Sequence, residues 1–159
     1  MTAKSTALVK QFEAKVEEAM ATLEKLSEAD WTKRTEAERW SVGVTAHHLA
    51  SVLEPISHMI KAVVAGQAPG TLTGAMIDEM NAKHAKDYAH CTKEETIQLL
   101  QKGATVAAAV VRGLSDDQLA KSGRVLTDAP PMTAEQLITG ALIEQIDEHF
   151  GSIRKTVGH

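Results

Sequence analysis

Apolar residues recur at intervals of three and four along four long segments of the chain. This spacing places them on one face of an α-helix, because the helix completes a turn in about 3.6 residues. The segments cover residues 5–27, a stretch after Ser41, a stretch from Thr92 to Leu114 and a stretch after Thr133. Four amphipathic helices bury their apolar faces most simply against one another, so we predict an all-α fold, an antiparallel four-helix bundle.

Helix-capping patterns mark where several helices begin. A Ser or Thr followed three positions later by Glu or Gln occurs at Thr92 with Glu95, Ser115 with Gln118, and Thr133 with Gln136. A shorter amphipathic helix is predicted over residues 74–89. Two stretches that contain Gly and Pro, residues 66–70 and 121–132, are predicted to be connections without regular structure.

The length and composition of the chain fit a single domain, residues 1–159. A chain of 159 residues, 43% of them hydrophobic, can bury one sizeable core. Its 17 Lys and Arg residues are scattered and the net charge is −4, which argues against nucleic acid as a partner. No apolar run reaches membrane-spanning length, and the N-terminus lacks the apolar core of a signal peptide. Because the single Cys91 cannot form an internal disulfide, we expect a cytoplasmic protein.

Two histidines on different predicted helices carry the strongest functional signal. His48 lies between Thr45 and Val52 on the stripe of the second long helix, and His149 lies on the stripe of the fourth. Both side chains should point into the bundle. A buried neutral imidazole needs partners for both nitrogens, and two facing histidines can meet this need by sharing a divalent cation. We then expect the imidazoles to approach within roughly 3–5 Å of each other.

Gln145 lies four residues before His149, so the two side chains can converge on one point. Its amide oxygen can bind a metal, although more weakly than an imidazole. The same residues fit two simpler arrangements as well. His48 and His149 could each hydrogen-bond across the core, or they could line a pocket that holds no metal, and the residues alone leave these alternatives open.

The remaining histidines and the cysteine receive weaker assignments. His47 is turned about 100° from His48 around the helix and is expected at the surface or rim. His84 is assigned to a pocket rim or the surface, with a role as third ligand as the lesser alternative. Cys91 is expected to be a bystander, although it precedes a helix N-terminus. The possible pocket comprises Met76, Met80, Asn81, His84 and Tyr88.

Several short motifs, taken in their order along the chain, resemble those of the DinB-like superfamily. The first is Trp40-Ser41-Val42 followed by His48-Leu49-Ala50, and the last is Glu148-His149-Phe150-Gly151-Ser152-Ile153. Between them, the resemblance includes Ile77-Asp78-Glu79-Met80-Asn81, the capping box at Thr92, and Leu114-Ser-Asp-Asp-Gln-Leu119. It covers essentially the whole chain.

The resemblance implies a four-helix bundle with up-down-down-up topology. It also implies a divalent metal, zinc or nickel, held by three histidines. Two of those histidines correspond to His48 and His149, whereas the third corresponds to Gln145 in this chain. The Arg and Gln that follow in the family are replaced by Phe150 and Ser152.

Several members of the superfamily are thiol S-transferases that use mycothiol, bacillithiol or a similar small thiol; others are isomerases, and many are homodimers. The resemblance therefore implies a metal-dependent thiol S-transferase, in which a metal-bound small thiol attacks an electrophilic substrate. The alternative is a metal-free protein that binds a small hydrophobic ligand in the degenerate site. The expected partners are a small-molecule substrate, a low-molecular-weight thiol and a second copy of the chain.

Overall fold

A computed structural model of the chain describes residues 2–67 and 71–158. Its helices, in chain order, are α1 (Ala3–Lys25), α2 (Glu28–Trp31), α3 (Val42–Val64), α4 (Gly74–Asp87), α5 (Lys93–Arg112), α6 (Asp116–Leu119), α7 (Ala134–Leu137), a π-helical segment (Ile138–Glu144) and α8 (Gln145–Val157). Two short strands, β1 (Ser122–Gly123) and β2 (Met132–Thr133), pair antiparallel. Of the predicted connection 66–70, residues 68–70 lie outside the described part of the chain.

The long helices form the bundle that the apolar periodicity predicts. Helices α1 and α3 each pack against both α5 and α8, so α1 and α3 lie diagonally opposite each other. Helix α4 lies in the connection between α3 and α5 and contacts α3. Aliphatic side chains fill the interior together with Phe12 and Phe150. Within residues 2–67 and 71–158, no helix combines the length and the apolar character that a membrane span requires.

The predicted caps are present at the helix N-termini. Four side chains accept hydrogen bonds from backbone N–H groups three residues later, namely Ser41, Thr92, Ser115 and Thr133. Ser27 makes the same contact with Asp30 and begins α2, a helix too short to show an apolar stripe. The prediction of an irregular loop over 121–132 is corrected by the β1–β2 ribbon, which brings Gly123 against Val63 of α3.

The last long helix of the bundle consists of α7, the π-helical segment and α8 in sequence. Between α7 and α8, the residues Ile138–Glu144 form a π-helix. A π-helix has more residues per turn than an α-helix and is frequent at functional sites. It therefore changes the angular position of Gln145 and His149 relative to α7. Apolar periodicity does not predict this segment, because the stripe assumes a constant turn of about 3.6 residues.

Candidate metal centre

His48 and His149 are neighbours inside the bundle, as their stripe positions predict. His48 is buried on α3 and His149 projects from α8. Their ring centroids lie 5.2 Å apart and the rings are nearly perpendicular, at 86°. The centroid separation lies just above the expected range of about 3–5 Å. Trp40 packs against the other side of His48, with its ring centroid 5.1 Å from that of the imidazole.

The outer nitrogen of His149 is held by a carboxylate that sequence reasoning missed. Nδ1 of His149 lies 2.9 Å from Oε2 of Glu38, and Ser152 donates a hydrogen bond of 2.7 Å to Oε1. The side chains of His149 and Glu38 are only 13% and 10% exposed. With Nδ1 engaged, Nε2 is the nitrogen left for another partner. Metal-ligating histidines commonly have such an outer carboxylate, which fixes the tautomer and the orientation of the ring.

A tight turn before α3 brings Glu38 to the site. Arg39 adopts a left-handed φ of 62°, which is uncommon for a residue with a side chain, and its N–H donates to the carbonyl of Thr35. The turn places Glu38 beside His149 and Trp40 beside His48. Thr35 and Glu38 have the spacing of a capping box, yet the chain forms a turn there. The one sequence signal at Glu38 therefore indicates a helix cap and gives no sign of its contact with His149.

Gln145, which occupies the position of the family's remaining histidine, has a buried amide oxygen. This Oε1 has no hydrogen-bond partner among the described residues, and leaving a buried polar group unpaired costs about 1–3 kcal/mol. Together with the imidazoles of His48 and His149, it would supply a mixed nitrogen and oxygen donor set of the kind that zinc or nickel accepts. Within residues 2–67 and 71–158, no three His, Cys, Asp or Glu side chains surround a common metal position. A third protein ligand would therefore have to be the Gln145 amide.

A second pair of histidines adjoins the first, and the expectation of an exposed His47 is wrong. His47 is 5% exposed, and its Nδ1 lies 2.8 Å from Nε2 of His84. Tyr88 stacks on both rings, with its centroid 4.2 Å from that of His47. The prediction assumed that only one face of the helix is buried. It fails here because every residue over 42–50 is buried. Helix α4 contacts α3 from outside the bundle, so the start of α3 has no free face.

His84 lies beside these histidines on the wall of a cavity. Its ring centroid is 5.6 Å from that of His48, and its Nδ1 is buried without a partner in the described part of the chain. Because no three histidines converge in the described ranges, His84 does not complete a ligand set with His48 and His149 as placed. His84 lines the cavity, but its Nδ1 is buried from solvent, so this nitrogen is not exposed to the cavity.

Burial lowers the pKa of His47, His48 and His84 and so favours their neutral forms. It lowers the pKa of His48 to about 4, with a further contribution from His149 and His84. The pKa of His84 is likewise about 4, because of burial and the proximity of His47. For Glu38, burial raises the pKa of the carboxyl, but hydrogen bonds from Ser152 and His149 outweigh it and leave the pKa below its ordinary value. Metal binding needs these deprotonated forms.

The cavity beside the histidines has a volume of about 590 Å³ and opens between α3, α4 and the last helix. Its polar lining residues are His48, Ser51, Asn81, His84, Gln145 and Glu148. Of the residues predicted for a pocket, Met80, Asn81 and His84 line the cavity. Met76 does not, because it lies on an exposed flank of α4, roughly 90° around the helix from the lining residues. Tyr88 does not line it either, since it stacks on His47 and His84 where α4 ends.

Cys91 lies away from the cavity. Its thiol is buried, and its backbone carbonyl accepts a hydrogen bond of 2.9 Å from Nε1 of Trp31. Burial raises the pKa of the thiol. Because the thiolate is the reactive form of cysteine, this environment suits a structural role.

Comparisons with known proteins agree with this architecture. The profile of the family described as mycothiol maleylpyruvate isomerase N-terminal domain matches residues 12–144. YfiT from Bacillus subtilis, described as a probable metal-dependent hydrolase with an unusual four-helix bundle topology, has a TM-score of 0.76 at 16% identity, over 99% of this chain and 90% of that chain. An uncharacterised protein from Clostridium difficile 630 has a TM-score of 0.74 at 15% identity, over 98% of this chain and 96% of that chain. No curated protein matches the chain. The family match and the shared bundle confirm the DinB-like resemblance and the predicted up-down-down-up fold.

Proposed function

The chain belongs to the mycothiol maleylpyruvate isomerase N-terminal domain family, and on this premise we propose that it is a metal-dependent enzyme. The proposed site binds one divalent cation, zinc or nickel, through His48, His149 and Gln145. In its finer form, the proposal is a thiol S-transfer, in which a low-molecular-weight thiol attacks an electrophilic substrate in the cavity. YfiT is described as a probable hydrolase, so the transfer reaction is inferred from the family and not from that neighbour.

The contact that carries the proposal is the one between Glu38 and Nδ1 of His149, 2.9 Å long. This contact engages Nδ1, the outer nitrogen of His149. Nε2, the inner nitrogen, therefore remains for a ligand beside His48. The second support is Gln145, whose buried Oε1 lacks a partner among the described residues. A cation would provide a partner for both the inner nitrogen of His149 and this oxygen.

The roles of the protein groups follow from their contacts. A divalent cation, when bound, supplies a Lewis acid that lowers the pKa of a thiol at an open coordination position. Glu38 orients the His149 ring, and Ser152 holds Glu38 in place through its hydrogen bond of 2.7 Å. His84 lines the cavity beside His48. The apolar side chains that line most of the cavity exclude water from the attacking sulfur.

Metal binding is tested by titrating chelator-treated, tag-free protein with zinc or nickel in competition with a chromogenic chelator. We expect one equivalent to bind, with strong weakening in His48→Ala and His149→Ala. Gln145→His should tighten binding, because an imidazole replaces an amide oxygen. His58→Ala is the matched control, since His58 is an exposed histidine of the same helix, α3.

Three outcomes would contradict all or part of the metal proposal. Equal affinity in wild type and His48→Ala would mean that the cation binds elsewhere. Absence of binding in the wild type would favour the metal-free alternative, a protein that binds a small hydrophobic ligand. An unchanged affinity in Gln145→His would remove Gln145 from the ligand set and leave the two histidines.

The transfer reaction is tested with a small thiol and 1-chloro-2,4-dinitrobenzene, from which the thiolate displaces chloride. Turnover should require both the thiol and the metal, and His48→Ala should abolish it. Cys91→Ser should retain turnover, because the attacking sulfur belongs to the cosubstrate. Activity that persists in chelator, or that is lost in Cys91→Ser, would exclude this mechanism.

A further inference from the structure

We propose that the thiol bound at the proposed cation carries an apolar body, which the cavity holds, and not a sugar or a peptide. The inference rests on the proposed function, because it needs a cation bound by His48, His149 and Gln145. It adds the chemical class of the thiol, which the metal proposal leaves open.

The proposed cation adjoins the cavity. His48 and Gln145, two of its three proposed ligands, line the cavity, so a thiol would reach the cation from there and leave its body there. All three proposed ligands are uncharged, and the two positive charges of the cation therefore remain for an anionic partner. A thiol that releases its proton to solvent provides this partner as a thiolate. The cavity can therefore accept an anionic sulfur through the cation, whatever the character of its walls.

The walls around that position are predominantly apolar. They are built from α3, α4, the segment around the β1–β2 ribbon and the π-helical segment. Representative lining residues are Met59, Leu72, Ile77, Leu126, Met132 and Leu137. A volume of about 590 Å³ falls within the range of small-molecule sites. Removing apolar ligand surface from water against such walls favours binding, and unbranched methionine side chains adapt to ligands of different outline.

A sugar or peptide body has few partners on these walls. Besides the histidines and Gln145, the uncharged polar side chains of the described lining are Ser51 and Asn81, and Ser51 already donates to the carbonyl of His48 at 2.7 Å. The described lining contains no Lys and no Arg, and the exposed Glu148 carries its one full charge. The cation would be the one positive partner, and the thiolate occupies it. Hydroxyls or carboxylates on the rest of the thiol would therefore lose hydration without comparable new contacts.

The test measures displacement of a neutral fluorescent probe, N-phenyl-1-naphthylamine, from zinc-loaded and from chelator-treated protein. Three competitors separate the sulfur from the body: 2-naphthalenemethanethiol, 2-ethylnaphthalene, which has the same ring system without sulfur, and glutathione, an alkyl thiol with a charged peptide body. Zinc should strengthen the aromatic thiol by at least about tenfold and leave 2-ethylnaphthalene unchanged. On zinc-loaded protein, the aromatic thiol should bind at least about tenfold more tightly than glutathione.

Matched substitutions show whether the walls of this cavity set the preference. Ala141→Phe places a ring in the cavity and should abolish binding of the probe and the aromatic thiol. Gly151→Phe adds the same ring to α8 where a new Cβ meets open space, outside the cavity, and should leave both intact. Glu148→Lys gives the lining a cation and should strengthen glutathione on the order of threefold without changing 2-ethylnaphthalene. Glu144→Lys, an exposed position outside the cavity, is its control.

Three results on zinc-loaded protein would overturn the inference and leave the metal site standing: no probe binding, glutathione binding as tightly as the aromatic thiol, or no gain of the aromatic thiol from zinc. If Ala141→Phe does not fold, as judged by circular dichroism, equal glutathione affinities in Glu148→Lys and Glu144→Lys would still count against the role of the walls. Absence of zinc binding appears separately in the chelator titration. That outcome would overturn the proposed function and this inference together, so the two failures are distinguishable.

Discussion

At the scale of single residues, Glu38 determines which face of His149 is available for chemistry. Its carboxylate accepts from Ser152 and contacts Nδ1 of His149 while both side chains are almost fully buried. Removing the carboxylate would free the ring to rotate and would leave Nδ1 without its partner. In the proposed site, the contact would therefore act on a bound metal through the orientation of the His149 ligand.

We expect Glu38→Ala to lower zinc affinity by about 10–100-fold, the usual cost of losing an outer partner of a ligating histidine. The measurement is the zinc dissociation constant from the competition titration. Glu36→Ala is the control, because Glu36 lies in the same turn with its side chain 90% exposed. Equal losses in the two variants would point to a general electrostatic effect and against an orienting role for Glu38.

The buried imidazoles make stability depend on pH. Burial lowers the pKa of His48 to about 4 from 6.5, so between these values the unfolded chain binds a proton that the folded chain does not. The free energy of unfolding of metal-free protein should therefore fall as pH decreases through this window. His48→Gln should reduce the fall between about pH 7.5 and 5 by about 2 kcal/mol, measured by urea denaturation. An identical profile in His48→Gln and in the exposed-site control His58→Gln would show that His48 does not contribute.

At the scale of elements, Gly43 allows the short helix α2 to pack closely against the start of α3. A Cβ added at Gly43 would lie 2.5 Å from Cε2 of Trp31, so the indole occupies the space that a side chain would need. The same indole donates through Nε1 to the carbonyl of Cys91, just before α5. Gly43 thus lets one tryptophan connect α2, α3 and the start of α5.

Gly43→Ala should destabilise the protein by about 1–3 kcal/mol, because the indole has to move. Gly151→Ala is the matched change on α8, where a new Cβ meets nothing within 4 Å. There the gain in helix propensity should stabilise by up to about 1 kcal/mol. Urea denaturation of both variants measures the difference. Stabilisation in both would mean that Trp31 adjusts without cost.

Periodicity and capping predict the elements well because both depend on residues close in sequence. Ser41, Thr92 and Thr133 begin helices as predicted, and His48 and His149 point inward from their stripes. The π-helical turn and the contact of Glu38 with His149 depend on tertiary packing, which local patterns do not encode. The prediction that His47 lies at the surface fails for a related reason. A stripe assumes one buried face, whereas α4 covers the start of α3 on a second side.

At the scale of the whole molecule, the candidate site connects parts of the bundle that do not adjoin in sequence. His48 belongs to α3, Gln145 and His149 to α8, and Glu38 to the turn before α3. A cation held by these residues would bind the folded chain and not the unfolded one. Its binding free energy would therefore add to stability.

Zinc at about 100 times its dissociation constant should raise the free energy of unfolding by about 2.7 kcal/mol. The rise should vanish in His48→Ala and persist in His58→Ala, with urea denaturation at fixed pH as the measurement. A rise of equal size in His48→Ala would place the stabilising cation at another site.

The distance along the chain between Glu38 and His149 also sets an order of events during synthesis. The two residues are 111 positions apart, and at about 5–20 residues per second a ribosome needs roughly 5–20 s to make the stretch between them. For most of that time, His48 has been made but neither of its proposed co-ligands, Gln145 and His149, exists. A nascent chain therefore lacks the complete proposed site, so a divalent cation could bind there only after α8 has been translated.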